Sequence, residues 1–126
     1  MWNSLWIATA VGMLTLVIAT FAAFAISRLK VRGGRLVMNA ALFTYFIPAA
    51  FLAVPMYKAM STYGLLNSSW SLVLAMVTLA SPYAIWVLKQ ASDKLPWELD
   101  EAARIDGATP LQLFRLVYLP LMLPSL

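Results

Sequence analysis

The chain has 126 residues, 63% of them hydrophobic and 11% charged, with a net charge of +4. Water-soluble domains carry about 25% charged residues, so a fold solvated only by water is excluded and a membrane is the natural medium. The chain has no cysteine and no histidine, which removes disulfides and the usual ligands of a zinc or haem site. The basic balance, with a pI of about 9.7, reads as topology marking rather than nucleic-acid binding, because the basic residues flank apolar runs.

The first predicted span is 5–27, inside a stretch from Met1 to Ser27 without a single charge. No lysine or arginine precedes it and no clear small-x-small site follows, so it does not read as a secretion signal. Ala8, Gly12, Ala19, Ala22, Ala23 and Ala25 are small enough for the close packing by which membrane helices recognise one another. Arg28, Lys30, Arg32 and Arg35 then place four positive charges in eight residues with no acid. Such a loop is expected on the cytoplasmic side, against anionic headgroups.

The second predicted span, 36–57, is also uncharged and contains Pro48 and Pro55. Each proline removes a backbone donor and bends or breaks the helix. Two readings stand: a kinked helix beside a translocation path, or a structural kink. Residues 58–70, with Gly64, Asn67, Ser68 and Ser69, read as the external connection, and Tyr63 and Trp70 suit the lipid–water interface. The third predicted span is 71–88, with Pro82 expected to break its second half. Tyr83 and Trp86 offer aromatic faces that suit either a sugar ring or the lipid interface.

Past Lys89 the pattern changes to a polar elbow, about 93–120. Pro96 followed by Glu98, Asp100 and Glu101 predicts a helix start, with carboxylates at the positive end of the dipole. Asp100 and Arg104 are spaced to pair on one face. Gly107 is placed to end that helix in the left-handed conformation. Thr109, Pro110 and Gln112 predict a second helix opened by a capping box. A further apolar run, about 116–126, reads as the start of another span. Basic residues support one orientation: Arg28, Lys30, Arg32, Arg35, Lys89, Lys94, Arg104 and Arg115 fall in the proposed inner loops, and only Lys58 in the outer one. The expected fold class is therefore an all-α membrane protein with three transmembrane helices, a cytoplasmic helix-turn-helix and the start of a fourth span.

The elbow carries a resemblance. Glu101-Ala102-Ala103, three residues, Gly107, nine residues, the aliphatic Val117, one residue, then Leu119-Pro120 resembles the "EAA loop" of the permeases of ABC importers. Val117 stands where isoleucine is usual. Asp106 and Pro124, Gly64-Leu-Leu-Asn67 and Ser81-Pro82-Tyr83 resemble the carbohydrate, maltose-type branch. The resemblance implies that the chain is a fragment of a permease of about six helices, with further helices on both sides. It implies a coupling role for Glu101, Ala102, Ala103, Asp106, Gly107, Leu119 and Pro120, with Glu101 pairing to a basic residue of a cytoplasmic ATPase subunit. It also implies a second permease subunit, an extracytoplasmic solute-binding protein, a place in the cell membrane, and uptake of a sugar or related solute. Pro48, Pro82, Tyr83 and Trp86 are candidates for the substrate path.

The residues themselves offer no catalytic constellation. The acids of the elbow have neither nucleophile nor metal ligand beside them. No Gly-x-x-x-x-Gly-Lys-Ser/Thr loop is present, so ATP is expected on a partner chain, with no cofactor on this one and no nucleic-acid partner. The absence of charge within the three spans speaks against a proton relay. The alternatives are an importer for another solute class and a membrane assembly subunit that transports nothing.

Overall fold

The computed structural model describes residues 1–125, which are helical almost throughout, with no strand among them. Helix α1 spans Trp2–Ser27, α2 Gly34–Phe43, α3 Ala49–Thr62 and α4 Ser69–Asp93. The elbow follows as α5, Glu98–Ile105, and α6, Pro110–Gln112; a widened π-helical stretch, Leu113–Tyr118, then leads into α7, Leu119–Met122. Helices α1 and α4 are each long and apolar enough to cross a membrane. The predicted start of a further span at 116–126 is helical as far as Ser125, and Leu126 lies outside the described residues.

Helices α1 and α4 run side by side in the same direction. Near their first turns the Trp6 and Trp70 rings meet edge to face with centroids 5.7 Å apart. Near their last turns the Ser27 and Ser92 hydroxyls are 2.6 Å apart. The contact face of α1 is a stripe of spacing three to five, Thr15, Ala19, Thr20, Ala23 and Phe24. Ala19 and Ala23 are fully buried, as close packing through small residues requires. Gly12 takes no part, since a Cβ added there would meet nothing within 4 Å. On α4 the matching residues are Val73, Val77, Leu88 and Ser92.

The second predicted span is not one helix. A 3-10 turn at Thr44–Phe46 is followed by extended Ile47 and Pro48, and the two halves meet at 110°. The residue before a proline is pushed out of the helical region, and the proline itself has no N–H to donate. Pro55, in contrast, sits inside α3 without ending it. Helix α3 also continues to Thr62, well into the predicted 58–70 connection. Gly64 and Asn67, both at positive φ, turn the chain, and the Ser68 hydroxyl accepts from the Trp70 N–H at 3.2 Å to cap α4.

Pro82 does not break the third span, contrary to the sequence expectation; α4 is one helix from Ser69 to Asp93. Neighbouring groups hold the backbone around it. The Ser81 hydroxyl donates to the Val77 carbonyl at 2.6 Å. The Tyr45 hydroxyl, from the bent pair, donates to the Leu79 carbonyl. The carbonyl left without its usual N–H donor is that of Thr78, and prolines in membrane helices are tolerated where the surrounding protein accommodates the disturbed backbone.

The core lies at the end where α1 and α4 finish. Ala19, Ala23, Phe24 and Leu88 pack there against Leu113, Phe114, Tyr118 and Met122. Phe24 meets Phe114 and Tyr118 with ring centroids 5.1 and 4.9 Å away, the tilted geometry that aromatic pairs prefer. The elbow is thus folded back onto the ends of two spans.

Candidate functional site

The turn between α5 and α6 is built from residues that suit each position. The Ala108 N–H donates to the Ala103 carbonyl and the Gly107 N–H to the Arg104 carbonyl, both at 3.0 Å. These are the paired bonds of a Schellman ending. It needs a residue in the left-handed region, and Gly107 has φ +81. The Thr109 hydroxyl then accepts from the Gln112 N–H at 3.3 Å, while the Gln112 side chain accepts from the Thr109 N–H at 2.8 Å. The predicted capping box is present, so both sides of the turn have partners for their free backbone groups.

The coupling candidates divide by exposure. Glu101, Ala102, Asp106 and Gly107 are exposed, while Ala103 is half-buried against the core. Ile105 and Leu111 stand out from the tip, 85% and 71% exposed. The tip therefore presents two aliphatic side chains beside exposed acids. Leu119 packs against the core and Pro120 is exposed. Pro120 lacks the N–H that the Leu116 carbonyl would otherwise accept. The widened turns at Leu113–Tyr118 lie directly before it, as π-type turns do where the helical ladder is interrupted.

The base of the elbow differs from the sequence expectation. Asp100 does not pair with Arg104. Its Oδ2 accepts from Arg28 Nη1 at 2.7 Å, with both side chains buried. Arg28 Nη2 donates to the carbonyls of Ser92 at 2.8 Å and Leu95 at 3.2 Å. Arg104 turns the other way and donates to the Arg28 carbonyl at 3.0 Å. A buried charge with an ionic partner and further hydrogen bonds is tolerable, and one without them is not. Pairing with Asp100 gives the buried Arg28 an ionic partner, whereas Arg104 is exposed to solvent.

Trp97 organises the same region. Its indole N–H donates to Glu101 Oε1 at 2.8 Å. Lys30 Nζ lies 4.3 Å from a ring centroid, and the Arg28 and Arg104 guanidinium carbons lie 5.6 Å away. Cations within about 6 Å of an indole are held by its π face. Lys30 itself has φ +50, a position where glycine is easier.

Sequence reasoning read Arg28 and Lys30 as topology charges and gave Trp97 no role. A signal for Arg28 was available: Thr20, Phe24 and Arg28 are four apart and continue the buried stripe of α1. Nothing comparable marks Trp97.

The substrate-path candidates are not gathered in one place. Pro48 and Pro82 line a groove of about 560 Å³ between the bent pair and α4, with Pro55 on the same wall. Tyr83 and Trp86 lie outside that lining and stack on each other, centroids 6.0 Å apart. The hydroxyls of the groove are already engaged with backbone carbonyls: Thr44 with Ala41, Tyr45 with Leu79 and Thr78 with Leu74. The groove is apolar, whereas a sugar site needs placed polar groups.

Comparison with known proteins agrees with the elbow. Residues 4–126 match the family model described as binding-protein-dependent transport system inner membrane component. The chain is 37% identical over 124 residues to a trehalose transport system permease protein of Mycobacterium tuberculosis, covering 98% of this chain and 45% of that one. It is 34% identical over 121 residues to a lactose transport system permease protein of Rhizobium radiobacter, covering 96% and 44%. It is 33% identical over 124 residues to a trehalose/maltose transport system permease protein of Thermococcus litoralis, covering 98% and 45%. The chain spans a little under half the length of these curated relatives. With the apolar spans, the capped elbow and a family match over nearly its whole length, the chain belongs to the binding-protein-dependent transport system inner membrane components.

Proposed function

We propose that this chain is part of a permease subunit of an ATP-driven importer for a sugar or a related small solute. The observation that carries the reading is the elbow: a short, doubly capped helical turn with exposed Glu101, Ala102, Ile105 and Leu111, set directly on the ends of two spans. An apolar tip rimmed by acids fits a groove on a partner protein, in the manner of helix-in-groove recognition. The names of the relatives, which carry trehalose, lactose and maltose, support the sugar.

In this reading the elbow faces the cytoplasm, in keeping with the basic residues around it. It docks on an ATPase subunit, with Glu101 meeting a basic residue there and Ala102 allowing close approach. Gly107 makes the turn, Ala103 and Leu119 seat the elbow on the spans, Pro120 interrupts the helical ladder that follows the elbow, and Asp106 adds charge at the tip. Closure of paired ATPase subunits moves the elbow, and the spans it rests on shift between two packings. Transport is coupled to ATP because nucleotide and solute favour different packings. A second permease subunit and an extracytoplasmic binding protein complete the assembly. Hydrolysis takes place on the ATPase chain.

The test is uptake by cells carrying the full-length permease with Glu101→Lys or Gly107→Val. A β-branched residue at φ +81 is strongly disfavoured, and the lysine reverses the docking charge. Both variants are expected to reach the membrane and to lose at least tenfold in uptake. Normal uptake in both would reject the docking role.

A further inference from the structure

Arg28 belongs to the end of α1, not to the elbow, yet it is 3% exposed. A basic residue that merely marks a cytoplasmic loop reaches toward headgroups and water. Arg28 points inward instead. Its side chain donates to Asp100 of α5 and to the backbone of Ser92 and Leu95, at and just past the last turn of α4. Arg104 of α5 returns a bond to the Arg28 carbonyl. The planar guanidinium fork is suited to holding several acceptors in a fixed arrangement, which an ammonium is not. Lys30 and Trp97 add a second tie between the same loop and the elbow, and Ser27 meets Ser92 across α1 and α4.

We infer that Arg28 and Asp100 form an internal latch that makes the end of α1, the end of α4 and the elbow a single rigid body. The inference rests on the proposed coupling role of the elbow and adds to it a path of force. Without the latch, a pushed elbow is tied to α4 by the 94–97 connection, but its hold on α1 loses its one buried ion pair and is left to the Arg104 bond to the Arg28 carbonyl, the Lys30–Trp97 contact and the packing of Phe21 and Phe24 on the elbow's aromatic rings. With the latch, α1 moves whenever the elbow moves. Arg28 is thus a positioning residue: it touches neither solute nor nucleotide and fixes where α1 stands relative to the docking tip.

The experiment uses the full-length permease assembled with its ATPase in lipid vesicles, with spin labels at exposed Val31 and Ile105, and a second pair at Val31 and Phe51. Distances are read without nucleotide and with ATP plus vanadate. The Val31–Ile105 pair is expected to give one narrow distance that is the same in both states, while Val31–Phe51 shifts. Arg28→Ala, and Asp100→Asn should that variant fail to assemble, are expected at least to double the width of the Val31–Ile105 distribution. Arg28→Lys is expected to fall between them and the unaltered protein. A Val31–Ile105 distance that shifts with nucleotide in the unaltered protein, or that stays narrow in Arg28→Ala and Asp100→Asn, would overturn the latch. If no pair moves with nucleotide while the variants still broaden, the latch stands as structure and the coupling reading beneath it falls.

Discussion

The elbow base and the bent pair are built on different terms. At the elbow end, Ser92, Arg28 and Asp100 are buried polar groups tied into one network, and Leu113, Tyr118 and Met122 are almost wholly enclosed. In the bent pair, α2 buries only Met38 and α3 buries no residue at all. Phe46, Phe51 and Val54 stand 82%, 73% and 76% exposed. In water such surfaces are liabilities; in a bilayer they meet lipid tails or other helices at little cost. The contrast teaches that the elbow end holds its shape through its own contacts, whereas the bent pair depends on whatever surrounds it in the membrane.

Three substitutions test this contrast from its two sides. The larger effect is expected at the elbow. Asp100→Ala leaves the Arg28 charge buried and unpaired, a defect of about 3–5 kcal/mol. It should appear as a clear loss in denaturation midpoint of the purified permease in detergent. Glu98→Ala, removing an exposed acid of the same helix turn, should change it by at most about 0.5 kcal/mol. Equal effects would mean that the buried pair is not what stiffens the elbow. The smaller effect is expected in the bent pair. Tyr45→Phe removes a hydrogen bond from an exposed tyrosine to the Leu79 carbonyl, a contribution of about 0.5–1.5 kcal/mol. A loss as large as that of Asp100→Ala would erase the distinction between the elbow base and the bent pair.

The elbow was largely legible in the sequence because its signals are local. Gly107, Thr109, Pro110 and Gln112 act on backbone groups within three or four residues, so their spacing alone defines the turn. The outer two spans were legible for the same kind of reason, as long uncharged runs. What could not be read were choices between distant partners. Asp100 had Arg104 four residues away and Arg28 seventy-two away; the spacing rule favours the first, and burial selects the second. The prolines show a similar limit. Pro48 breaks its helix while Pro55 and Pro82 do not, and nothing local to the three prolines distinguishes them. The groove lined by Pro48 and Pro82 joins residues of separate helices, and the engagement of its hydroxyls depends on bonds that no spacing encodes.

The proposed docking of the elbow tip on a cytoplasmic ATPase can be tested directly. These 126 residues contain no cysteine, so Ile105→Cys, at a side chain 85% exposed, places a single thiol on the tip within this segment. A short thiol-directed cross-linker applied to the assembled transporter in membranes should join that thiol to the ATPase subunit, and a membrane-impermeant reagent should reach it only from the cytoplasmic side of vesicles stripped of ATPase. Labelling from the opposite side, or the absence of any cross-link to a nucleotide-hydrolysing chain, would contradict the account.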